Sequence, residues 1–258
     1  MIGRFASVVL GLFIAAGTAA ASTNVSSDAE IQGHQLAQQL CEARPTGSFT
    51  NTGILRIRNS KGETTKVPVD CFVFVSQTNW ITIYRASRFE GSFHSQASGY
   101  TDSFTSVFPI EIMHFQNRLS IYKFKFPDSK PAALITNLFT PFADSDFWIC
   151  DLGLEFFHWP KQRILKHEMR RGRSCQVLES TNPNPSPGGY SRVVSWIDNE
   201  TLGIVQAEAY DAKGDLLKEF YPKSFKKVNG QWELQEMEIR NDQTGSRTRL
   251  EFDLKPPD

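Results

Sequence analysis

The residues that could do chemistry are thinly spread in this chain. Five histidines, at positions 34, 94, 114, 158 and 167, show no metal-ligand spacing. His167 and Glu168 are adjacent, but no second histidine follows at helical spacing, and neighbours in a strand point to opposite faces. Asp144, Asp146 and Asp151 lie close together, yet two of them fit the start of a helix and need no acid–base role. There is no G-x-S-x-G elbow, P-loop, G-x-G-x-x-G or H-E-x-x-H. The reading is a protein that is not an enzyme, with no cofactor and no metal. His158, at the end of an aromatic segment, reads as a polar tip at the mouth of an apolar region.

Aromatic side chains are dense instead: 20 Phe, 6 Tyr and 5 Trp, 12% of the chain. Phe72, Phe74, Trp80, Tyr84, Tyr122, Phe124, Phe126, Trp148, Phe156, Phe157, Trp159, Trp196, Tyr210 and Trp232 recur on strand-like segments and on one apolar helical stretch. A plain aromatic core is the commoner use of such residues. The other use is the lining of a wide groove. Acyl chains need non-directional burial, about 0.8 kcal/mol per methylene. The candidate lipid contacts are Phe72, Phe74, Trp80, Tyr84, Phe147, Trp148, Leu152, Phe156, Trp159, Trp196, Tyr210 and Trp232. A basic cluster, Lys161, Arg163, Lys166, Arg170, Arg171 and Arg173, fits a solvated strand edge. Its alternative is a docking patch for an acidic partner or head group, centred on Arg163, Arg170 and Arg171.

The elements that must position these residues are mostly strands. Residues 27–43 have helical spacing, with Ser27 as cap, Glu30 three residues on, and Ile31, Leu36 and Leu40 on one face. Period-two segments follow at 54–58, 67–75, 80–84 and 119–126, and residues 86–108 carry little regular signal. Residues 145–158 read as a second helix, apolar nearly all round and therefore covered. Trp196 and Tyr210 are its expected partners on the sheet. Further strands fall at 162–170, 174–180, 190–198, 203–211, 216–221, 223–228 and 231–240, and a last one alternates through Thr248, Leu250, Phe252 and Leu254. Asn229-Gly230 is the strongest hairpin signal, and a bulge is expected near Gln235. This pattern predicts a mainly β (α+β) fold: one curved antiparallel sheet forming an incomplete barrel, covered by two or three helices.

The 258 residues carry 28 Lys and Arg against 28 Asp and Glu, a balance that argues against a nucleic-acid binder. Arg4, the apolar run from Phe5 to Ala16 and the small residues Ala19, Ala20 and Ala21 read as a signal peptide cleaved after Ala21. The expected domains are residues 1–21 as leader and 22–258 as one half-barrel domain, in the periplasm and monomeric. Export permits disulfides among Cys41, Cys71, Cys150 and Cys175. Sequence cannot choose among the three pairings, and Cys175 also suits a buried free thiol.

Several stretches together carry a family likeness. Pro141 to Phe147 runs on through Asp151 to Pro160, and Met169 to Glu179 and Tyr190 to Asp198 follow. Ala209-Tyr210-Asp211, Gly214, Leu217-Lys218, Asn229 to Trp232, Met237 to Ile239 and Thr244 to Thr248 complete the series. In order and spacing these resemble the LolA-like family of outer-membrane lipoprotein-sorting proteins, well over residues 140–253 and more loosely over 45–85. The resemblance implies an open, incomplete β-barrel with helices over its mouth. It also implies a periplasmic carrier holding the acyl chains of a lipoprotein, or another lipid, with membrane-bound donor and acceptor proteins as partners. Members of that family use an arginine to hydrogen-bond the lid; Arg56 and Arg58 are candidates by strand position. The alternative is a non-catalytic envelope-assembly or structural protein whose concave face is filled by its own side chains.

Overall fold

The computed structural model describes residues 21–87, 109–116, 118–125, 131–228 and 231–254. Apart from Ala21, the expected leader lies outside this set, as do Phe126 and the Asn229-Gly230 turn. The described residues begin with a helix, α1 (Ala21–Glu42), followed by β1 (Phe49–Arg58), β2 (Thr64–Val75), β3 (Asn79–Ala86), β4 (Ile110–Phe115), β5 (Ile121–Phe124) and the short β6 (Ala133–Leu134). A segment with the four-residue helix α2 (Ile149–Leu152) and a 3₁₀ turn (Glu155–His158) comes next. The second run is β7 (Lys161–Arg170), β8 (Arg173–Thr181), β9 (Arg192–Asp198), β10 (Ile204–Tyr210), β11 (Leu216–Val228), β12 (Gln231–Asn241) and β13 (Arg247–Asp253).

Among the described residues thirteen strands form one sheet in the order β6-β5-β4-β3-β2-β1-β13-β12-β11-β10-β9-β8-β7, antiparallel throughout. The fold is the expected curved, unclosed antiparallel sheet with two helices. Its two meanders join in the middle, where β1 pairs with β13. Leu55 faces Leu250 there, with 0% and 2% of their surfaces exposed. Burying such a side chain contributes about 1.5–3 kcal/mol. The edge strands β6 and β7 are consecutive in the chain, so residues 135–160 must cross the sheet from one edge to the other. That crossing segment lies against the inner face. Phe142, Phe147 and Ile149 pack with Leu55, Cys71 and Leu250, and Phe156 and Phe157 pack with Leu178, Ile197 and Ala207.

Several expectations are corrected. The second helix does not run from 145 to 158. It is broken into α2 and the 3₁₀ turn at Gly153 and Leu154, and Leu154 is left-handed at φ 51°. Gly153 sits so close to the Tyr122 hydroxyl that a Cβ has no room. β4 is a strand beyond those expected. β11 runs straight through Pro222, where two strands were expected, because the register shifts between Pro222 and Ser224. The expected bulge is present: Ser224 pairs with Glu236 and Phe225 with Leu234, leaving Gln235 as the extra residue. On α1 the buried face is Gly33, Leu36 and Ala37, while Ile31 is 52% exposed. The helix crosses β7 so closely that a Cβ on Gly33 would come 2.5 Å from the Arg163 backbone nitrogen.

Candidate functional site

A cavity of about 520 Å³ lies between the inner face of β9–β13 and the cover formed by α1 and the crossing segment. Its lining is mostly apolar: Leu40 of α1, Phe156 and Phe157 of the 3₁₀ turn, Ala207 and Ala209 of β10, Phe220 and Phe225 of β11, and Leu234 and Ile239 of β12. Alanines on β10 leave the space that larger inward side chains would fill. The volume is within the range of pockets that hold a small organic ligand.

One polar cluster interrupts this lining. Lys218 stands on β11 at an inward position, only 3% exposed. Its Nζ donates to the main-chain oxygen of Asp146 at 2.6 Å, lies 3.4 Å from the centre of the Trp148 ring and is 3.8 Å from the Asp151 carboxylate. The Asp151 carboxylate also accepts from the Tyr190 hydroxyl at 3.0 Å and from the Trp148 backbone N–H at 2.8 Å, which ties off the start of α2. Burial lowers the Lys218 ammonium to about 8 and raises the Asp151 carboxyl above its ordinary value, so each charge persists because the other is beside it. A second tie comes from β13: Thr248 Oγ1 donates to the Asp146 carboxylate at 2.8 Å and accepts from the Asp146 N–H at 2.9 Å. These bonds pin the middle of the crossing segment to the sheet.

The other end of the segment is held by a titratable contact. Tyr122 on β5 donates to Glu155 at 2.9 Å. Burial raises Glu155 to about 7, while the same hydrogen bond pulls it down. Nearby, Trp80 stacks on His114 with ring centres 4.9 Å apart, and burial lowers His114 to about 4. His158 is half-buried, lines a smaller cavity of about 190 Å³ with His114 and Trp80, and is likewise lowered by burial.

The sequence candidates divide by strand parity. Tyr84, Phe147, Leu152, Phe156 and Trp232 line the large cavity. Trp148 and Trp159 belong to the crossing segment and pack beside it, and Trp80 lines the smaller cavity. Phe72, Phe74, Trp196 and Tyr210 are corrected. Inward positions on β2 are Val69, Cys71 and Val73, so Phe72 and Phe74 face outward, with Phe74 52% exposed. Trp196 packs with Cys175, Val177 and Val194 in a separate outer cluster, beside Tyr210 and under the Arg170 guanidinium. Neither meets the crossing segment. The basic cluster is engaged locally: Arg163 pairs with Glu179 at 2.7 Å, Arg170 donates to Gln206 at 2.9 Å, Arg173 pairs with Asp198 at 3.1 Å, and Arg171 lies over the Tyr221 ring. Arg56 does not reach the crossing segment; it pairs with Glu251 on the neighbouring strand, and Arg58 lies beside the Gly62 turn. The cation bonded to that segment is Lys218. The one sequence signal for it was a lysine at an inward-facing position in register with Phe220. All four cysteines are free thiols, three of them buried. Among the described residues no group of three His, Cys, Asp or Glu could hold a metal, and no helix is long and apolar enough to cross a membrane.

An open antiparallel sheet whose own edges are bridged by a covering segment, with an apolar cavity beneath, is the LolA-like architecture. A family model with the description "Uncharacterized protein" matches residues 126–254, half of the chain, and the chain belongs to that family. A putative outer membrane lipoprotein-sorting protein domain from Vibrio parahaemolyticus superposes with a TM-score of 0.67 at 20% identity, covering 87% of this chain and 91% of that one. A DUF1329 family protein from Desulfovibrio piger gives 0.64 at 17% identity, with the same coverage. A LolA superfamily protein from Nitrosomonas europaea gives 0.58 at 16% identity, covering 88% and 94%. At these identities the likeness is one of fold. No curated protein matches the chain.

Proposed function

We propose that this protein is a periplasmic carrier that binds acyl chains, those of a lipoprotein or of another lipid, in the cavity under the crossing segment, and that it does no catalysis. The observation that carries this reading is the cavity itself: about 520 Å³ of mostly apolar space in a fold that could have filled it. Tyr84, Phe147, Leu152, Phe156 and Trp232 are the proposed contacts from the sequence, joined by Phe157, Phe220 and Leu234. The aromatic and aliphatic lining offers burial without direction, which suits a chain of methylenes. The signal peptide over residues 1–21 would deliver the chain to the compartment where such cargo moves. The likeness to the putative outer membrane lipoprotein-sorting protein domain from Vibrio parahaemolyticus supports the same reading. The envelope-structural alternative needs a filled inner face, which the cavity disfavours.

Mass spectrometry of lipid co-purifying with protein taken from the periplasm tests the proposal. An acyl-containing species released on denaturation is the expected result. Protein that carries no lipid, and that binds no apolar dye when purified, would sink the carrier reading.

A further inference from the structure

Exposed apolar surface gathers at one end of the cavity. Phe147, Tyr190 and Lys218 are almost fully buried at its closed end. At the other end Leu154, Leu202, Phe225 and Trp232 are 38%, 37%, 54% and 71% exposed and also line the cavity. They come from three separate places: the bend after α2, the β9–β10 turn and the β11–β12 hairpin. An open rim of this kind, built by converging segments, marks an interaction surface more often than chance exposure does.

The rim also carries net positive charge. From Pro222 to Leu234 the hairpin has Lys223, Lys226 and Lys227 against the single acid Glu233. Lys227 pairs across the hairpin with Trp232, and Lys226 and Lys227 are exposed. The Lys226 ammonium reaches the Leu254 carbonyl at 2.7 Å, and Lys223 pairs with Glu238 at 3.3 Å.

We propose that this rim docks on a lipid bilayer bearing anionic head groups. Trp232 and Phe225 would seat at the head-group level, where tryptophan is favoured because its ring is apolar and its N–H is polar. Lys226 and Lys227, exposed on opposite faces of the hairpin tip, would reach the phosphates on either side of it. The purpose of such docking rests on the carrier reading, but its observations do not. A mouth pressed to the bilayer lets an acyl chain pass between membrane and cavity without crossing water. Every methylene exposed on the way would add to the barrier. A protein partner could cover the same apolar rim, but the tryptophan with flanking lysines matches a charged lipid surface more closely.

Vesicle flotation tests this with the full mature chain. Vesicles of phosphatidylglycerol and phosphatidylethanolamine should carry the protein upward, and phosphatidylcholine vesicles or high salt should not. The double variant Lys226→Gln/Lys227→Gln should lose most flotation while still binding an apolar dye in solution, since neither lysine lines the cavity. Trp232→Ser with Phe225→Ser should lose flotation with the far-UV spectrum intact. A wild type that does not float, or variants that float equally well, would overturn the docking proposal. Dye binding without flotation leaves the carrier reading standing and removes this one. Flotation without dye binding does the reverse.

Discussion

The Lys218 ammonium on β11 and the main-chain oxygen of Asp146 are 2.6 Å apart, joining the middle of the sheet to the segment that crosses it. This bond lies at the buried end of the cavity, with the Asp151 carboxylate 3.8 Å from the same nitrogen. A charge held this way does little net work compared with apolar packing, but removing one partner strands the other.

Lys218→Met should therefore destabilise the protein by about 3–5 kcal/mol, the usual loss when one member of a buried pair is removed. Asp151→Asn in the same chain should recover part of that loss, because no carboxylate then remains unpaired. Urea denaturation of the two single variants and the double variant reads the coupling. Strict additivity would mean the pair does not act as a unit.

Phe156 both packs in the core and lines the cavity, at 5% exposure. Phe156→Ala should cost about 3 kcal/mol, near the low end for a buried aromatic, because one side of the ring already faces open space. Affinity for an environment-sensitive apolar dye should change in the same variant. A stability loss with no dye binding in wild type or variant would favour the filled-core alternative.

Glu155 gives a pH dependence with a definite sign. Its folded value is about 7 against an ordinary 4.5, so the folded state holds the proton more tightly. Its contribution to stability is full below about pH 4.5 and is lost as the pH rises to about 7. His114, lowered to about 4 by burial, works the other way: its contribution is present above about 6.5 and is lost as the pH falls through about 4. Comparing wild type with Glu155→Gln isolates the first effect. The variant should lose less stability than wild type between pH 4.5 and 7, and parallel curves would contradict the assignment.

Gly33 is where α1 meets β7, with the Arg163 backbone nitrogen 2.5 Å from where a Cβ would stand. Gly33→Ala should push the helix off the strand and cost about 1–3 kcal/mol, as overpacking does. The backbone there cannot yield as a flexible side chain would. A melting temperature equal to wild type would show that the helix approach is looser than the structure has it.

Much of this architecture was legible because it rests on local chemistry. Strand period two, turn residues and the odd residue at Gln235 are properties of short stretches, and they predicted a long meander with a bulge in the right place. The aromatic density announced that something apolar would be buried. Parity alone could have separated Phe72 and Phe74 from the inner face, since Val69, Cys71 and Val73 are the inward set. On β9 parity is less telling, because Val193 and Ile197 on one face are matched by Val194 and Trp196 on the other.

Residue types and their local spacing sufficed for an antiparallel β protein with one apolar covering segment and no recognisable catalytic motif. Long-range packing was needed to pair β1 with β13, to break the covering helix at Gly153 and Leu154, and to bring Lys218 to Asp146 and Asp151. Each of these depends on residues far apart in the chain. The Tyr122 hydroxyl lies where a Cβ on residue 153 would stand, so only glycine fits there, and Lys218 meets Asp146 across 72 positions. A helix that is apolar all round has no preferred face of its own. The sheet beneath it chooses which residues turn inward, and where the chain must bend to follow the curve.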